Sequence, residues 1–403
     1  MKIAYVTMQF PVASETFAAV ELRALRRQGA EVSVLAYRAA PPGAETLLAE
    51  RDLAGLNVDQ GGVGATLKGL LLILLRPGDS LFLLGTILRH CWRQPAHLVK
   101  ALALVPRSLT LLQRIEALKP QVVHLFWGHY PSLLGLLVKR RQPKTVLSLF
   151  LGAYDLERRF PLSALLAGQA DVLLTHARAN LPALAAIGVD PAGVTVAYRG
   201  LEIPTPAPAP QKTRALMVVA ERLVRQKSTD AALRLFAAVV KELPGARLRV
   251  LGAGPESDRL QALARDLGIA KEVTFAGHLP HHEVFRHLAE AEVALTLSQS
   301  PSERLPNAIK EAMLHRCLCL AARSSGIEEL IDDGETGLMV DAGDLEGAAR
   351  RLSGLLGDPT AMARIGGQAQ ARILADFDAD RLMAARLEHW SALLQEQRSG
   401  AAA

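Results

Sequence analysis

The sequence predicts an α/β protein of two domains, each a doubly wound parallel sheet covered by helices. Three observations carry this. Short aliphatic runs alternate with helical stretches of about 10–15 residues in two successive series, the pattern of repeated strand–helix–strand units. Between the series every second residue from Pro204 to Pro210 is proline, which makes a stiff, extended connector. And 403 residues, 50% apolar and 21% charged, are long for one domain and apolar enough to bury two cores. The first domain is accordingly placed at residues 1–205 and the second at 206–378, with 379–403 a closing helical segment able to pack back on the first.

Taken in order, Lys2–Thr7 reads as a buried strand because its apolar residues are not interrupted by a polar face. An amphipathic helix from about Ser14 to Gln28 is stopped by Gly29, and Glu31–Tyr37 is the next strand. Strands at Val122–Phe126, Thr145–Phe150 and Asp171–Thr175 follow, with a helix at Ser132–Arg141. The second series runs Ala215–Val219, helix Asp230–Lys241, Arg247–Leu251, helix Glu256–Leu267, Glu272–Phe275 and Val293–Leu297. A helix at Pro306–His315, a strand at Leu318–Ala321 and a closing helix from about Ala379 to Gln397 complete it. In such sheets ligands lie beyond the carboxyl ends of the strands, so two domains facing each other would hold a site in the cleft between them.

Residues 63–119 depart from this alternation. They are rich in Leu and Arg and read as several helices, apolar on one face and basic on another. Between residues 60 and 150 twelve Lys and Arg stand against two acids, Asp79 and Glu116. That pattern predicts either a helical layer over the sheet or a surface resting on anionic lipid. Nucleic acid is disfavoured, since Trp92 is the one Trp or Tyr between residues 60 and 120 and stacking platforms are lacking. The longest apolar stretch, 70–88, is cut by Arg76-Pro77-Gly78-Asp79 and is too short to span a bilayer. No cleavable leader is read at Met1, and three cysteines (Cys91, Cys317, Cys319) make no disulfide framework, so a cytoplasmic protein is expected. Cys317 and Cys319, two apart, should share one buried face of a strand.

The stretch richest in chemistry is Ser302-Glu303-Arg304-Leu305-Pro306-Asn307-Ala308-Ile309-Lys310-Glu311. It follows a strand and opens a helix, with Pro306 expected at the first helical position. The first-turn amides of that helix, with the positive end of its dipole, suit a phosphate. Glu303 and Glu311 lie ~12 Å apart along a helix axis, and together could bracket a sugar diphosphate through sugar hydroxyls and ribose hydroxyls.

This segment resembles the Glu-x7-Glu signature of the retaining, family-4 type glycosyltransferases of the GT-B fold, which pair two Rossmann-like domains. Ala220-Glu221-Arg222-Leu223-Val224-Arg225-Gln226-Lys227 is similar to that family's Gly-Arg-Leu-x-x-x-Lys-Gly loop. Leu251-Gly252-Ala253-Gly254-Pro255 is similar to its Gly-x-Gly-Pro turn. Phe275-Ala276-Gly277 with Pro280, and Gly334-Glu335-Thr336-Gly337-Leu338, match further loops in the expected order. In the first half Ser14-Glu15-Thr16-Phe17 and Val122-Val123-His124 match weaker patterns.

The resemblance implies roles. Arg222 and Lys227 hold the donor diphosphate in place of a metal, Glu303 the transferred hexose and Glu311 the ribose. Gly252 and Gly254 let the backbone approach the nucleotide, and Leu305, Pro306, Asn307 and His278 complete the donor pocket. Ser14, His129 and Asp155 fall to the acceptor side. Two departures stand out. Where relatives carry His-x-His-Phe-Gly this chain has His124-Leu125-Phe126-Trp127-Gly128, and where they carry His-Gly-x-Asp it has Leu151-Gly152-Ala153-Tyr154-Asp155. His124 reads as a packed strand residue.

The expectation is a glycosyltransferase with no metal or other cofactor, moving a hexose from a nucleotide diphosphate sugar to a glycan or polyprenyl-linked acceptor on the inner face of the cytoplasmic membrane. A non-catalytic donor-binding partner, or a sugar-nucleotide epimerase, is the alternative. His278, His281, His282 and His287 lack metal-ligand spacing, and Asp376-Phe377-Asp378-Ala379-Asp380 reads as a helix start rather than a metal site.

Overall fold

The computed structural model describes residues 1–12, 15–204, 211–300 and 303–400. They form two compact units. The first comprises residues 1–202 and 379–403, the second residues 203–378.

In the first unit seven parallel strands alternate with helices: β1 Lys2–Thr7, α1 Thr16–Arg27, β2 Glu31–Ala36, α2 Ala44–Glu50 and β3 Asn57–Asp59. Three consecutive helices follow, α3 Val63–Leu75, α4 Pro77–Cys91 and α5 Pro95–Leu118. Then come β4 Val122–Leu125, α6 Ser132–Arg141, β5 Val146–Phe150, α7 Ala153–Glu157, α8 Pro161–Ala167, β6 Val172–Thr175, α9 Leu181–Ala186 and β7 Val194–Val196. The spatial order is β3-β2-β1-β4-β5-β6-β7, so the winding reverses between β1 and β4. Val, Leu and Ile on both faces of these strands are buried, as a sheet covered on two sides requires. β3 and β7 are three residues each and carry no periodic signal, which is why the sequence does not announce them.

The second unit has β8 Thr213–Ala220, α10 Thr229–Glu242, β9 Arg247–Leu251, α11 Ser257–Asp266, β10 Val273–Gly277, α12 His281–Glu290 and β11 Ala291–Thr296. It continues with α13 Asn307–Leu314, β12 Leu318–Ala322, β13 Leu338–Val340, α14 Leu345–Leu356 and α15 Pro359–Asp376. Its order, β10-β9-β8-β11-β12-β13, reverses between β8 and β11. Cys317 and Cys319 are both buried, at the start of β12.

The final helix, α16 Ala379–Gly400, belongs to the first unit. Met383 and Trp390 enter the core that holds Tyr5 and Phe126. Arg386 ion-pairs with buried Glu21 at 3.1 Å, and Arg27 of α1 bonds Asp380 at 2.9 Å. Asp376 closes α15 and Asp380 lies in the first turn of α16, so the Asp-x-Asp run straddles a helix junction.

The residue 63–119 segment departs from its expected division into an apolar and a basic face. The inner sides bury Leu72, Leu83, Ile87, Val105 and Leu109, but many other leucines stay outside among the basic residues. Several of the cations counted in the sequence are neutralised internally. Arg76 bonds Glu116 at 2.9 Å, Arg107 reaches Asp59 at 2.5 Å, and Arg140 and Arg141 approach Asp79.

Candidate active site

The residues singled out in the second unit gather where the winding reverses. The loop after β8 carries Glu221, Arg222 and Lys227, and the loop after its neighbour β11 carries Glu303. Ligands lie at such a switch point because the connecting helices diverge to opposite faces and leave a crevice. Lys227 Nζ ion-pairs with Glu303, and Ser298 Oγ donates to the Gln226 carbonyl at 2.9 Å, so the two loops are pinned together. Arg222 is exposed, five residues before Lys227 in the same loop.

Three successive strand loops are laced by backbone bonds. Glu221 N donates to Leu251 O at 3.0 Å, Leu223 N to Ala253 O at 3.1 Å, and Gly252 N to Gly277 O at 2.8 Å. A side chain at Gly252, where φ is +145°, would overlap the Glu221 carbonyl, and one at Gly254 would overlap that of Leu223. Both glycines are therefore demanded by the packing of the β9 loop on the β8 loop, a requirement independent of any nucleotide.

Pro306 is not the first helical residue. Its φ of −59° suits a helix but its ψ of 130° is extended, so it caps α13, which begins at Asn307. Leu305 precedes the cap, half-buried. One turn into the helix Glu311 is bonded at 3.0 Å by His281 Nε2 of α12, so the two glutamates have different partners, Lys227 and His281. His278 is exposed in the loop after β10. Among the described residues no group of three or more His, Cys, Asp or Glu is placed to hold a metal ion.

Glu221 stands where the family loop has glycine, and sequence reading missed it. Its Oε1 accepts a 2.8 Å bond from Thr229 Oγ1 at the start of α10. Burial drives its carboxyl from 4.5 up to about 8, against the pull of the Thr229 bond and the Lys227 charge, with Glu303 adding to the rise. The rise favours its protonated form beside two ionic neighbours.

In the first unit, the loop after β4 and the first turn of α7 bring His129 and Asp155 together. Asp155 is fully buried. Its Oδ1 shares a 3.0 Å bond with His129 Nδ1, and its Oδ2 accepts from Gly152 N at 3.0 Å. The carboxylate fixes the imidazole, whose ring lies among Trp127, Tyr130, Tyr154 and Phe160. Phe126 and Leu151, at the places of the relatives' histidines, are wholly buried in the core. His124 is a packed strand residue, bonded to Ser148 at 3.0 Å and held well below 6.5 by burial. Arg199, also missed in the sequence, stacks over Phe17 at 4.0 Å and over Phe126 and Trp127 at 4.9 Å. Beside it burial lifts the Glu15 carboxyl above 4.5, opposed by a hydrogen bond from Trp127. Ser14, Ser302 and the connector residues 205–210 lie outside the described residues.

Residues 205–372 match the family model of the glycosyl transferases group 1. LpsE of Rhizobium meliloti, a lipopolysaccharide core biosynthesis glycosyltransferase, is 32% identical over 196 residues, 49% of this chain and about half (54%) of LpsE. WcaL of Escherichia coli, a glycosyltransferase named for colanic acid biosynthesis, is 24% identical over 94% of this chain and 96% of its own. Among solved structures, HepE of Anabaena in complex with UDP superposes with a TM-score of 0.71 at 17% identity, over 97% of this chain and 100% of HepE. These matches agree with the two sheets and with the order of the loops: residues 205–372 match the glycosyl transferases group 1, and the fold is the GT-B fold of the solved neighbours.

Proposed function

We propose that the protein transfers a hexose, with retention and without a metal, from a nucleotide diphosphate sugar to a glycan or polyprenyl-linked acceptor at the inner face of the cytoplasmic membrane. The observation that supports this most is the pinned pair of loops at the β8–β11 reversal, which ties Lys227 to Glu303 just ahead of α13, with Arg222 exposed in the same loop as Lys227. As the bond from the sugar to the diphosphate breaks, charge grows on the leaving phosphate. Fixed cations and helix amides stabilise that charge more than they stabilise the bound donor. On donor binding Lys227 exchanges Glu303 for phosphate and frees that carboxylate for the hexose, while Glu311 exchanges His281 for the ribose. The acceptor hydroxyl attacks from the face the diphosphate leaves and passes its proton to the departing phosphate oxygen. His129, oriented by Asp155, holds the acceptor in the first unit. HepE has been solved with UDP-glucose, which makes a uridine donor the first to try.

Thermal stabilisation across a panel of nucleotide sugars, followed by turnover in excess EDTA, tests the reading, because a bound donor raises stability by mass action. Lys227→Ala and Glu311→Ala should each lower kcat/KM or donor affinity about a hundredfold, the scale of one charge-assisted contact. Near-normal kinetics in both variants would remove the assignment. Loss of turnover in EDTA, restored by magnesium, would remove the metal-independent mechanism. The buried Phe126 and Leu151 favour a second reading, a donor-binding subunit without turnover, and a donor that stabilises the protein but is never consumed by it would establish that instead.

A further inference from the structure

Among the described residues twelve large apolar side chains stand exposed, and ten of them lie between Val63 and Val99. On α3, Leu67, Leu70, Leu71, Leu74 and Leu75 follow the three-and-four spacing of one helix face. The opposite face is seated on α5, where Gly69 lies so close to the Pro106 carbonyl that no side chain would fit. The chain then bends by 101° into α4, whose outer face continues with Leu81 and Leu88 and leads to Trp92. Leu74 is 76% exposed and Trp92 62%. A soluble surface seldom leaves so many apolar residues together without an occupant.

The charges around the face say what the occupant is. Lys68, Arg89 and Lys100 are exposed on α3, α4 and α5, and Arg93 is exposed in the turn between α4 and α5. The segment's two acids are turned away: Asp79 is buried, 3.7 Å from Arg76, and Glu116 is bonded by Arg76. The Arg93 guanidinium lies 4.8 Å over the Trp92 ring, a pairing of cation and amphipathic aromatic suited to a lipid headgroup layer. At 13 and 15 residues neither helix reaches across ~30 Å of hydrocarbon, and among the described residues no single helix is long and apolar enough to cross a membrane.

We propose that α3 and the outer face of α4 embed in one leaflet of an anionic membrane, with the leucines below the headgroups and Lys68, Arg89, Arg93 and Lys100 among the phosphates. This deepens the reading of a lipid-borne acceptor and rests on it. It differs from simple electrostatic adsorption in one measurable respect: buried apolar area is indifferent to salt, whereas screening removes attraction between exposed charges.

Flotation of the full chain with phosphatidylcholine vesicles, with and without phosphatidylglycerol, at about 0.1 M and 1 M salt, tests this. Wild type should prefer the anionic vesicles and keep part of its binding at high salt. Trp92 fluorescence should shift to the blue and be quenched by brominated acyl chains, a signal absent from Trp92→Phe. Replacing Leu70, Leu71, Leu74 and Leu75 together with serine, all exposed and so harmless to the fold, should weaken binding about tenfold or more at either salt. Replacing Arg89, Arg93 and Lys100 with glutamine should abolish the preference for anionic lipid. If the leucine variant binds as wild type and salt removes everything, embedding is wrong while the lipid-borne acceptor stands. If neither vesicle is bound although a nucleotide sugar still stabilises the protein, both the embedding and the lipid-borne acceptor fail and the donor reading survives. If wild type is a dimer without lipid and the leucine variant a monomer, the face belongs to a second copy and the proposal falls.

Discussion

Glu221 is the residue whose protonation the fold controls most visibly near the loops after β8 and β11. A carboxyl raised from 4.5 to about 8 binds its proton more tightly in the folded chain than in the unfolded one. Its contribution is therefore fully present below the unfolded value and is lost as pH rises through about 8, where a charge must be held beside Glu303. Glu221→Gln keeps a partner for Thr229 and cannot ionise. Melting temperature measured from pH 6 to 9 should fall more steeply in wild type than in this variant, by no more than one proton's linkage, about 1.4 kcal/mol per pH unit. Parallel curves would show that Glu221 is ionised throughout. The same ionisation adds a negative charge near Lys227, so donor affinity should weaken above pH 8 in wild type alone. At this scale the sequence was legible wherever charge chemistry is declared by spacing, as with Glu303 and Lys227. It was silent where a role depends on burial, because nothing in Ala220-Glu221-Arg222 reveals that one carboxyl is shielded from water while the neighbouring guanidinium is not.

The loops after β8, β9 and β10 behave as one laced unit, and the glycines are its closest points. Gly254→Ala should press its methyl into the Leu223 carbonyl, costing about 1–3 kcal/mol in stability and displacing the loop that carries Arg222 and Lys227. Calorimetry and donor affinity should therefore move together, whereas an unchanged melting temperature would mean that the loops separate easily. Elements with an unbroken apolar run of four or more residues, such as β1, β8 and β12, were readable in place because a strand covered on both faces has few polar residues to interrupt it. The three-residue β3 and β7 were not, since pairing with a neighbour rather than local pattern makes them strands. The three helices over residues 63–118 were readable as helices, but which face each would bury was not. That depends on where Gly69 and Pro106 meet, a contact between positions far apart in the chain.

The first unit is closed by a helix from the far end of the sequence. Arg386 neutralises Glu21, which otherwise has the Tyr5 hydroxyl at 3.3 Å as its bonded neighbour in the core. Arg386→Met should take the hydrogen-bonded cation from a buried carboxylate, leaving Arg199 as the charge nearby, and destabilise the first unit by about 1.5–3 kcal/mol. Donor-induced stabilisation of the second unit should persist, and its loss would mean that the two units unfold as one. Net charge, by contrast, was a poor guide at this scale, because Arg76, Arg107, Arg140 and Arg141 spend their charge on Glu116, Asp59 and Asp79 inside the fold. The position of that last helix has another consequence. Ala379 N donates to the carbonyl of Leu201 at 2.9 Å, so the polypeptide leaves the first unit and re-enters it at adjoining points. Residues 203–378 are thus an insert between neighbouring ends, and two cuts at those ends should let the second unit be exchanged between relatives as a cassette without opening the first.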